Sequence, residues 1–391
     1  MTALSYGTHL EQTSLLVSFL LADRKGLVPG TLKYRYRLDI ISNKFAGTFG
    51  NGECRMSVSI KDVAEKAGVS IASVSRVLSG KPGVGKATEK RIRQVIEELD
   101  YRPNLGARGL VKKTTGNIAV VVPRGSFTLN NPFFTTVLSG IAKGIDKTEY
   151  NIIMSFTSTQ QKKLLEEQSV DGVILFSPRA EEMGIEWLRK IGLPIVVIGS
   201  YLEESPFPCV RPDDVDGIRQ AVHALHRLGH RKIGLINGPM SSMHSVHCLK
   251  GYQEAINELD LEYSSSYTLQ VDEFDIMDAV DAISAFLNDH LEFSGVVCAS
   301  DYLAIGALKA ASNLGLGIPN DLSIVGIDDV PLASFNTPAL SSVHVDLEGI
   351  GKKSTELLIE MLQGGQVKQK EHVFDMQYVG RESTSPPKES Q

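Results

Sequence analysis

The sequence is poor in features that mark secreted, metal-bound or membrane proteins. Its 391 residues include only four cysteines, at positions 54, 209, 248 and 298, with no CxxC pair. A disulfide framework or structural zinc site is therefore not expected, and reduced thiols in a cytosol are the simpler interpretation. The apolar stretch at 15–22 is shorter than the ~20 residues that span a bilayer, and no basic segment precedes it. We expect a cytoplasmic, nucleoid-associated protein without a membrane segment.

Neither residues 1–55 nor a search for enzyme motifs points to a further function. No clear fold pattern covers 1–55, so we interpret this range as an N-terminal extension, disordered or not part of the native start. The chain has no GxGxxG after its first strand, no GxxxxGK[ST] and no GxSxG. These are the motifs that bind nucleotides or expose a nucleophile, so we predict no enzyme activity, no catalytic residue and no cofactor.

Charge is divided unevenly along the chain. The formal net charge is −6, but residues 56–113 carry 12 Lys/Arg against 6 Asp/Glu, and residues 114–391 carry 21 against 36. A compact basic segment joined to an acidic body suggests that the small part meets a polyanion and that the large part has another role.

The basic segment contains SIKDVAEKAGVSIASVSRVLSG at 59–80. Apolar residues recur there at helical spacing, Ser59 and Ser70 stand where helix caps belong, and Gly68 separates the two runs. A third helix is predicted at roughly 86–99. Three short helices with a tight glycine turn predict a helix-turn-helix module, whose second helix would lie in the DNA major groove.

The second predicted helix exposes residues suited to DNA. Arg76 can make a bidentate contact to guanine, and Ile71 and Ala72 offer apolar contacts such as a thymine methyl. The short hydroxyls are suited to phosphate oxygens and belong to Ser70, Ser73 and Ser75. The alternative is a packing module with Arg76 as a solvated charge. The glycine turn, the serine-rich face and the local positive charge favour DNA binding.

The body from residue 114 alternates apolar runs with helical stretches. The runs lie at 117–123, 151–156, 171–176, 193–199, 232–238, 295–300 and 323–329. Near-continuous apolar strands between helices predict parallel sheets covered on both faces, and about 270 residues exceed one core. We expect two α/β lobes with a cleft, and a ligand at the carboxyl ends of the strands.

The first module resembles the lactose-repressor/galactose-repressor family of transcription regulators. The match covers most of 60–79 and continues at YRPN, 101–104. The resemblance implies a helix-turn-helix domain at 56–102 and a hinge helix at 103–113 that enters the minor groove. Its DNA-contacting positions would be Tyr101, Asn104, Ala107 and the wedge Leu110.

The resemblance continues through the body to about residue 382, in blocks such as NPFF (131–134), GHRKIGLINGP (229–239) and SIVGIDD (323–329). It implies an N-terminal all-α helix-turn-helix module followed by a two-lobe α/β periplasmic-binding-protein-like domain with parallel sheets, at 114–382. Lobe 1 would comprise about 114–210 and 319–346, lobe 2 about 211–318 and 347–382, and 383–391 would be a tail.

In this family a small molecule, usually a sugar or nucleobase, occupies the cleft. The resemblance implies that Phe133 or Phe134, together with Phe274, stacks on the effector and that Asp301 accepts hydrogen bonds from it. The paired phenylalanines could instead be core residues, and Asp301 could instead be only a helix cap. Cys248 stands where the family usually has an arginine, and Gly199 where an aspartate is common, which changes the effector chemistry. The implied protein is a homodimeric repressor on a near-palindromic double-stranded operator.

The sequence fits a metal-binding protein and a transport binding protein less well. A metal site could use His223, His226 and His230 at helical spacing, or His244 and His247 with Cys248. No carboxylate partner is evident from the sequence, so we expect no metal. A transport binding protein would need a secretory signal and would carry no DNA-reading module.

Overall fold

The computed structural model describes residues 58–101, 114–123, 129–179, 184–199 and 205–388. The chain divides between Arg102 and Pro103 into two compact units. The predicted extension at 1–55 and the predicted hinge helix, with Asn104, Ala107 and Leu110, lie outside the described residues. No helix among the described residues is both long and apolar enough to cross a membrane.

The first unit consists of three helices, α1 (Ile60–Ala67), α2 (Ile71–Leu78) and α3 (Lys86–Glu98). Ser59 and Asp62 form a reciprocal capping box at the start of α1. Gly68 ends α1 in the left-handed conformation, at φ +62°, which a glycine adopts at little cost. The glycine turn predicted from the sequence therefore sets the angle between α1 and α2.

The core of this unit is small. Val63, Val74 and Ile92, one from each helix, are fully buried, and Tyr101 closes the core from the C-terminal side. Because so few side chains are buried, each contributes a large share of the unit's stability. The outward residues of α2 lie outside this core and have no packing role in it.

The second unit is built on two six-stranded sheets. The first sheet has the order β11-β5-β4-β3-β1-β2, and the second β12-β10-β9-β8-β6-β7. All pairings are parallel except that of β10 with β12. The strands of the first sheet are β1 (Asn117–Val121), β2 (Asn151–Ser155), β3 (Gly172–Phe176), β4 (Ile195–Ile198), β5 (Cys209–Pro212) and β11 (Glu371–Phe374). Those of the second are β6 (Ile233–Asn237), β7 (Thr268–Gln270), β8 (Gly295–Cys298), β9 (Ser323–Asp328), β10 (Ser341–His344) and β12 (Gln377–Val379).

Helices separate the strands, as the alternating pattern predicts. They are α4 (Pro132–Ile145), α5 (Ser158–Glu166), α6 (Ile185–Ile191), α7 (Asp214–Leu228), α8 (Met243–Glu258), α9 (Ile276–Asp289), α10 (Asp301–Asn313), α11 (Pro331–Phe335) and α12 (Leu347–Leu362). The predicted fold class is confirmed: a helix-turn-helix region is followed by a two-sheet parallel α/β domain.

The predicted division into lobes is wrong in its C-terminal part. Strands β9 and β10 lie in the second sheet, with Ile324 of β9 opposite Val296 of β8, so residues 319–346 belong to lobe 2 rather than lobe 1. Helix α12 packs on α4, and β11 pairs with β5, so most of 347–382 belongs to lobe 1. The chain therefore crosses between lobes after β5, between β10 and α12, and between β11 and β12.

Two glycines allow α4 and α12 to approach closely. A Cβ atom at Gly140 would lie 2.0 Å from the carbonyl oxygen of Glu348, and one at Gly351 would lie 2.1 Å from that of Val137. Side chains larger than hydrogen cannot fit there. The close packing of these two helices fixes a C-terminal helix onto the N-terminal sheet.

The segment predicted as a tail is part of lobe 2. Ser383 is fully buried, and its hydroxyl donates to the carbonyl oxygen of Ile324 at 2.6 Å. Ser385 donates its N–H to the Ser323 hydroxyl at 3.1 Å, and its carbonyl accepts from His230 at 2.9 Å. Buried backbone groups need such partners, so this segment runs over the end of the second sheet instead of leaving it.

Candidate functional site

The first candidate site is the exposed side of α2. Ser70 caps this helix, its hydroxyl accepting the N–H of Ser73 at 3.2 Å. Ile71, Ala72 and Ser75 are exposed, and Ile71 keeps 44% of its surface open although it is apolar. An exposed apolar residue at the start of a recognition helix is suited to contact a base edge.

Arg76 lies on the same exposed side of α2. It forms no ion pair with any residue that the structure describes. Gly83 makes room for it, because a Cβ atom there would lie 3.1 Å from a guanidinium nitrogen of Arg76. An arginine without a carboxylate partner keeps its donors available for phosphate or guanine.

The structure places Tyr101 away from this side. Its ring belongs to the buried core of the three helices, and its N–H donates to the carbonyl of Ile96 at 3.0 Å. The described position therefore supports a packing role for Tyr101. Six of the ten residues predicted to contact DNA, Ser70 through Ser73 with Ser75 and Arg76, lie together on α2 and its cap.

The second candidate site is a cavity of about 100 Å³ in the second unit. It is lined by loops and helix starts that follow the carboxyl ends of strands in both sheets, as expected for open parallel sheets. The lining residues are Asn131, Phe133, Phe134, Phe176, Ser177, Gly199, Pro212, Asp214, Ser242, His244, Glu273, Phe274, Ser300 and Asp328. Three of the five predicted effector-binding residues, Phe133, Phe134 and Phe274, are among them.

Aromatic rings form much of the wall. Phe133 and Phe134 both meet Phe176 edge to face, with ring centroids 5.8 and 4.8 Å apart. Phe274, from lobe 2, lies 5.6 Å from the ring of His244. Its ring also lies over Gly238, where a Cβ atom would be 2.1 Å away. The cleft thus presents flat apolar surfaces from both lobes, with polar groups between them.

His244 and Asp214 form a buried ion pair at the cavity. His244 Nδ1 lies 3.0 Å from Asp214 Oδ1, and its Nε2 lies 2.8 Å from the carbonyl oxygen of Ala299. Both ring nitrogens lie near acceptor oxygens, an arrangement that favours the doubly protonated, positively charged ring. Burial lowers the pKa of His244, but the negative charge of Asp214 outweighs it and raises that pKa well above its usual value. Burial raises the pKa of Asp214, yet the charge of His244 brings it to about 2.

Asp328 is one of three carboxyl residues that line the cavity. It ends β9, is 5% exposed, and its side chain makes no hydrogen bond with any residue the structure describes. Burial raises its pKa well above the usual value, and the nearby charge of Asp301 adds to this rise. Its backbone φ of 108° is unusual for a residue other than glycine, and such strain is concentrated at functional positions. Sequence reasoning missed this residue, although SIVGIDD places it at a strand's carboxyl end.

Asp301 and Cys248 lie behind the cavity wall instead of on it. The Asp301 carboxylate accepts the N–H of Val330 at 2.8 Å and the Ser342 hydroxyl at 2.5 Å. Ser300, not Asp301, caps α10. Cys248 is fully buried in the core, with its sulfur 3.6 Å from Nε2 of His244. His244 thus lies beside Cys248, one helical turn before it on α8.

Two of the histidines considered as metal ligands have other partners. His223 pairs with Glu258 at 3.2 Å, and His230 is 2.8 Å from the Ser294 hydroxyl. Within the described ranges, no group of three His, Cys, Asp or Glu side chains is arranged to hold a metal ion.

Comparisons with known proteins match both units. Residues 59–104 match the bacterial regulatory proteins of the lacI family, and residues 222–384 match a periplasmic binding protein-like domain. Catabolite control protein A of Priestia megaterium is 32% identical over 314 residues, which are 78% of this chain and 93% of that protein. The transcriptional repressor CytR of Escherichia coli is 30% identical, over 84% of this chain and 96% of that protein.

Solved structures agree in fold. The Lac repressor dimer bound to operator and the anti-inducer ONPF matches with a TM-score of 0.74 and 25% identity, over 84% of this chain and 99% of that one. A complex of the regulator CelR with cellobiose matches with a TM-score of 0.66 and 28% identity, over 83% and 99%. The helix-turn-helix unit, the two-sheet body and these similarities together show that the chain belongs to the LacI family of bacterial transcription regulators.

Proposed function

We propose that this protein is a repressor that binds a near-palindromic operator as a homodimer and releases or tightens it when a neutral sugar enters the cleft. The observation that carries the proposal is that one chain combines an exposed Arg76 on α2 with a buried Asp328 in a cavity between two lobes, and neither side chain pairs with any residue that the structure describes. It acts as a cytoplasmic regulator and not as an enzyme.

The lining chemistry supports a neutral polyhydroxyl ligand. Asp328, Asn131 and the serine hydroxyls offer hydrogen bonds, and the phenylalanine rings offer flat apolar surfaces. The two cations at the cavity that the structure describes are already committed, His244 to Asp214 and Arg179 to Glu273. A phosphorylated ligand would need a cation free to bind it, so an uncharged sugar fits better.

The relatives support this ligand class. The CelR complex contains cellobiose, and a LacI family regulator of Enterococcus faecium, 27% identical with a TM-score of 0.61 over 69% of this chain and 99% of that one, contains ribose. Sugar binding would bias the relative position of the lobes, and this change would alter operator affinity. Such coupling is typically about 1–3 kcal/mol and is reciprocal between the two ligands.

Operator selection with the full chain tests the DNA-binding part of the proposal. The protein should enrich near-palindromic duplexes from a random pool, and their affinity should fall steeply between 50 and 200 mM salt as counterions are released. No preference for any duplex over random competitor would sink the proposal.

Calorimetric titration tests the effector part. Ribose, cellobiose and other neutral sugars should include a binder, whereas the matching phosphosugars should bind more weakly. Asp328→Ala should weaken that binding at least tenfold, because it removes the carboxyl group and leaves ligand hydroxyls without a hydrogen-bond partner in a buried site. Glu254→Gln, on the exposed side of α8, is the matched control. Preference for a phosphosugar, or an unchanged affinity of the Asp328 variant, would contradict this assignment.

A further inference from the structure

One ion pair among the described residues joins the two lobes. Arg179 follows β3 in lobe 1, and Glu273 follows β7 in lobe 2. The guanidinium Nη1 donates to Oε1 at 3.0 Å and Nη2 donates to Oε2 at 2.7 Å, a bidentate contact. Paired in this way, both charges have two well-aligned hydrogen bonds.

Both partners of this pair are shielded from solvent. The side chain of Arg179 is 11% exposed and that of Glu273 is 23% exposed. Other charge pairs of the second unit that involve Lys and Glu, such as Lys232 with Glu262, are far more exposed, at 42% and 61%. Because salt and water screen a sheltered pair less, the contact between the lobes is worth more than an ordinary surface ion pair.

The pair also holds part of the cavity wall in place. Glu273 lines the cavity and directly precedes Phe274, whose ring covers Gly238 and lies beside His244. Fixing Glu273 to lobe 1 therefore fixes the loop that carries Phe274 across the cleft. The contact uses only groups of the chain itself.

We propose that the Arg179–Glu273 pair is a latch that holds the two lobes closed over the cleft, so that an effector enters or leaves only when the latch opens. Its regulatory meaning rests on the proposed function, but its existence does not. Lobe closure is a two-state equilibrium that a contact made only in the closed state biases. Removing the latch should shift the closed-to-open ratio about 5- to 10-fold toward open.

Pulsed electron–electron double resonance, which measures the distance between two spin labels, tests the latch on the full chain without DNA or sugar. Spin labels are placed at Thr159→Cys in lobe 1 and Met240→Cys in lobe 2, which are exposed positions beyond strand ends. Cys54→Ser removes one competing thiol, and Cys209, Cys248 and Cys298 are buried. Excess unlabelled protein restricts the signal to distances within one chain.

With Arg179 and Glu273 both present, the two spin labels should show one short distance between the lobes. Glu273→Gln and Arg179→Gln should each add a longer distance, and the double exchange Arg179→Glu with Glu273→Arg should restore the short one. Glu262→Gln, which removes an exposed pair within lobe 2, should change nothing. Arg179→Lys keeps the charge but loses the bidentate geometry, so its share of the longer distance should lie between those of the unsubstituted protein and the Gln variants. This variant also tests the latch if a Gln variant misfolds.

Identical distances in Glu273→Gln and the unsubstituted protein would overturn the latch, as would a broad, open distribution in the unsubstituted protein. Either result leaves operator selection and sugar titration unaffected. Conversely, a protein that binds no sugar can still show the latch, so the two failures are distinguishable.

Discussion

Replacement of Asp214 by asparagine should strongly destabilise the second unit. Asp214 is 2% exposed and lies 3.0 Å from the His244 imidazolium. At that separation two unit charges attract by about 5 kcal/mol with an effective dielectric constant near 20. Asparagine keeps the shape but removes the charge, so His244 is left either charged and uncompensated or neutral beside an unsatisfied acceptor.

Two routes give the size of the effect. The pKa of about 2 for Asp214, in place of the usual 3.8, corresponds to about 2 kcal/mol of folding free energy at neutral pH. Removing one partner of a buried pair typically costs about 3–5 kcal/mol. The expected loss of about 2–5 kcal/mol should lower the melting temperature by roughly 10 °C.

Differential scanning calorimetry of the full chain at pH 7 measures this loss. Glu254→Gln, a variant in an exposed i,i+4 pair with Lys250 at 3.9 Å, should cost no more than about 0.5 kcal/mol. The pH dependence of the melting temperature gives a second check. The stabilisation that His244 contributes to folding is present below its unfolded pKa near 6.5 and is lost as pH rises through its raised folded pKa. A melting temperature within 2 °C of the control variant would refute the buried ion pair.

Three further predictions follow from the same structure. Arg76→Ala should weaken operator binding by about 1–3 kcal/mol and relax base preference at one position of each half-site, measured by gel-shift titration against Arg91→Ala on α3 as the control. Burial raises the pKa of Asp301 to about 7, so stability should fall by up to about 4 kcal/mol as pH rises from 4 to 7, and Asp301→Asn should flatten that decline in urea titrations. Gly140→Ala should destabilise lobe 1 severely, because its Cβ would meet the Glu348 carbonyl, and an unchanged melting curve would contradict the close helix packing.

Local patterns predicted the helical unit and the long strands well. The caps and apolar spacing placed α1 and α2, and each of the seven apolar runs contains one strand. The shorter strands were missed because they carry few consecutive apolar residues; β11, for example, reads EHVF. Their places are fixed by pairing with strands far away in the sequence. The same long-range pairing explains why the sequence did not predict which lobe holds 319–346.

The candidate site was predicted in part for a similar reason. Phe133, Phe134 and Phe274 line the cavity as expected. Asp301 and Asp328 both follow apolar strands, so sequence alone gives no basis for choosing between them. The structure separates them: Asp328 lines the cavity, whereas the Asp301 carboxylate accepts hydrogen bonds from the Ser342 hydroxyl and the Val330 N–H.

The close packing of α4 against α12 has a consequence for synthesis of the chain. The helical unit is complete at Tyr101 and can fold as soon as it leaves the ribosome. Lobe 1 has its first five strands by Pro212, but the helix that covers one side of its sheet ends at Leu362 and its last strand at Phe374. At roughly 5–20 residues per second, the ribosome takes about 8–30 s to make the intervening chain. During that interval the ribosome makes the part of lobe 2 that ends with β10. Apolar side chains of the first sheet meanwhile stay exposed to chaperones and to neighbouring nascent chains.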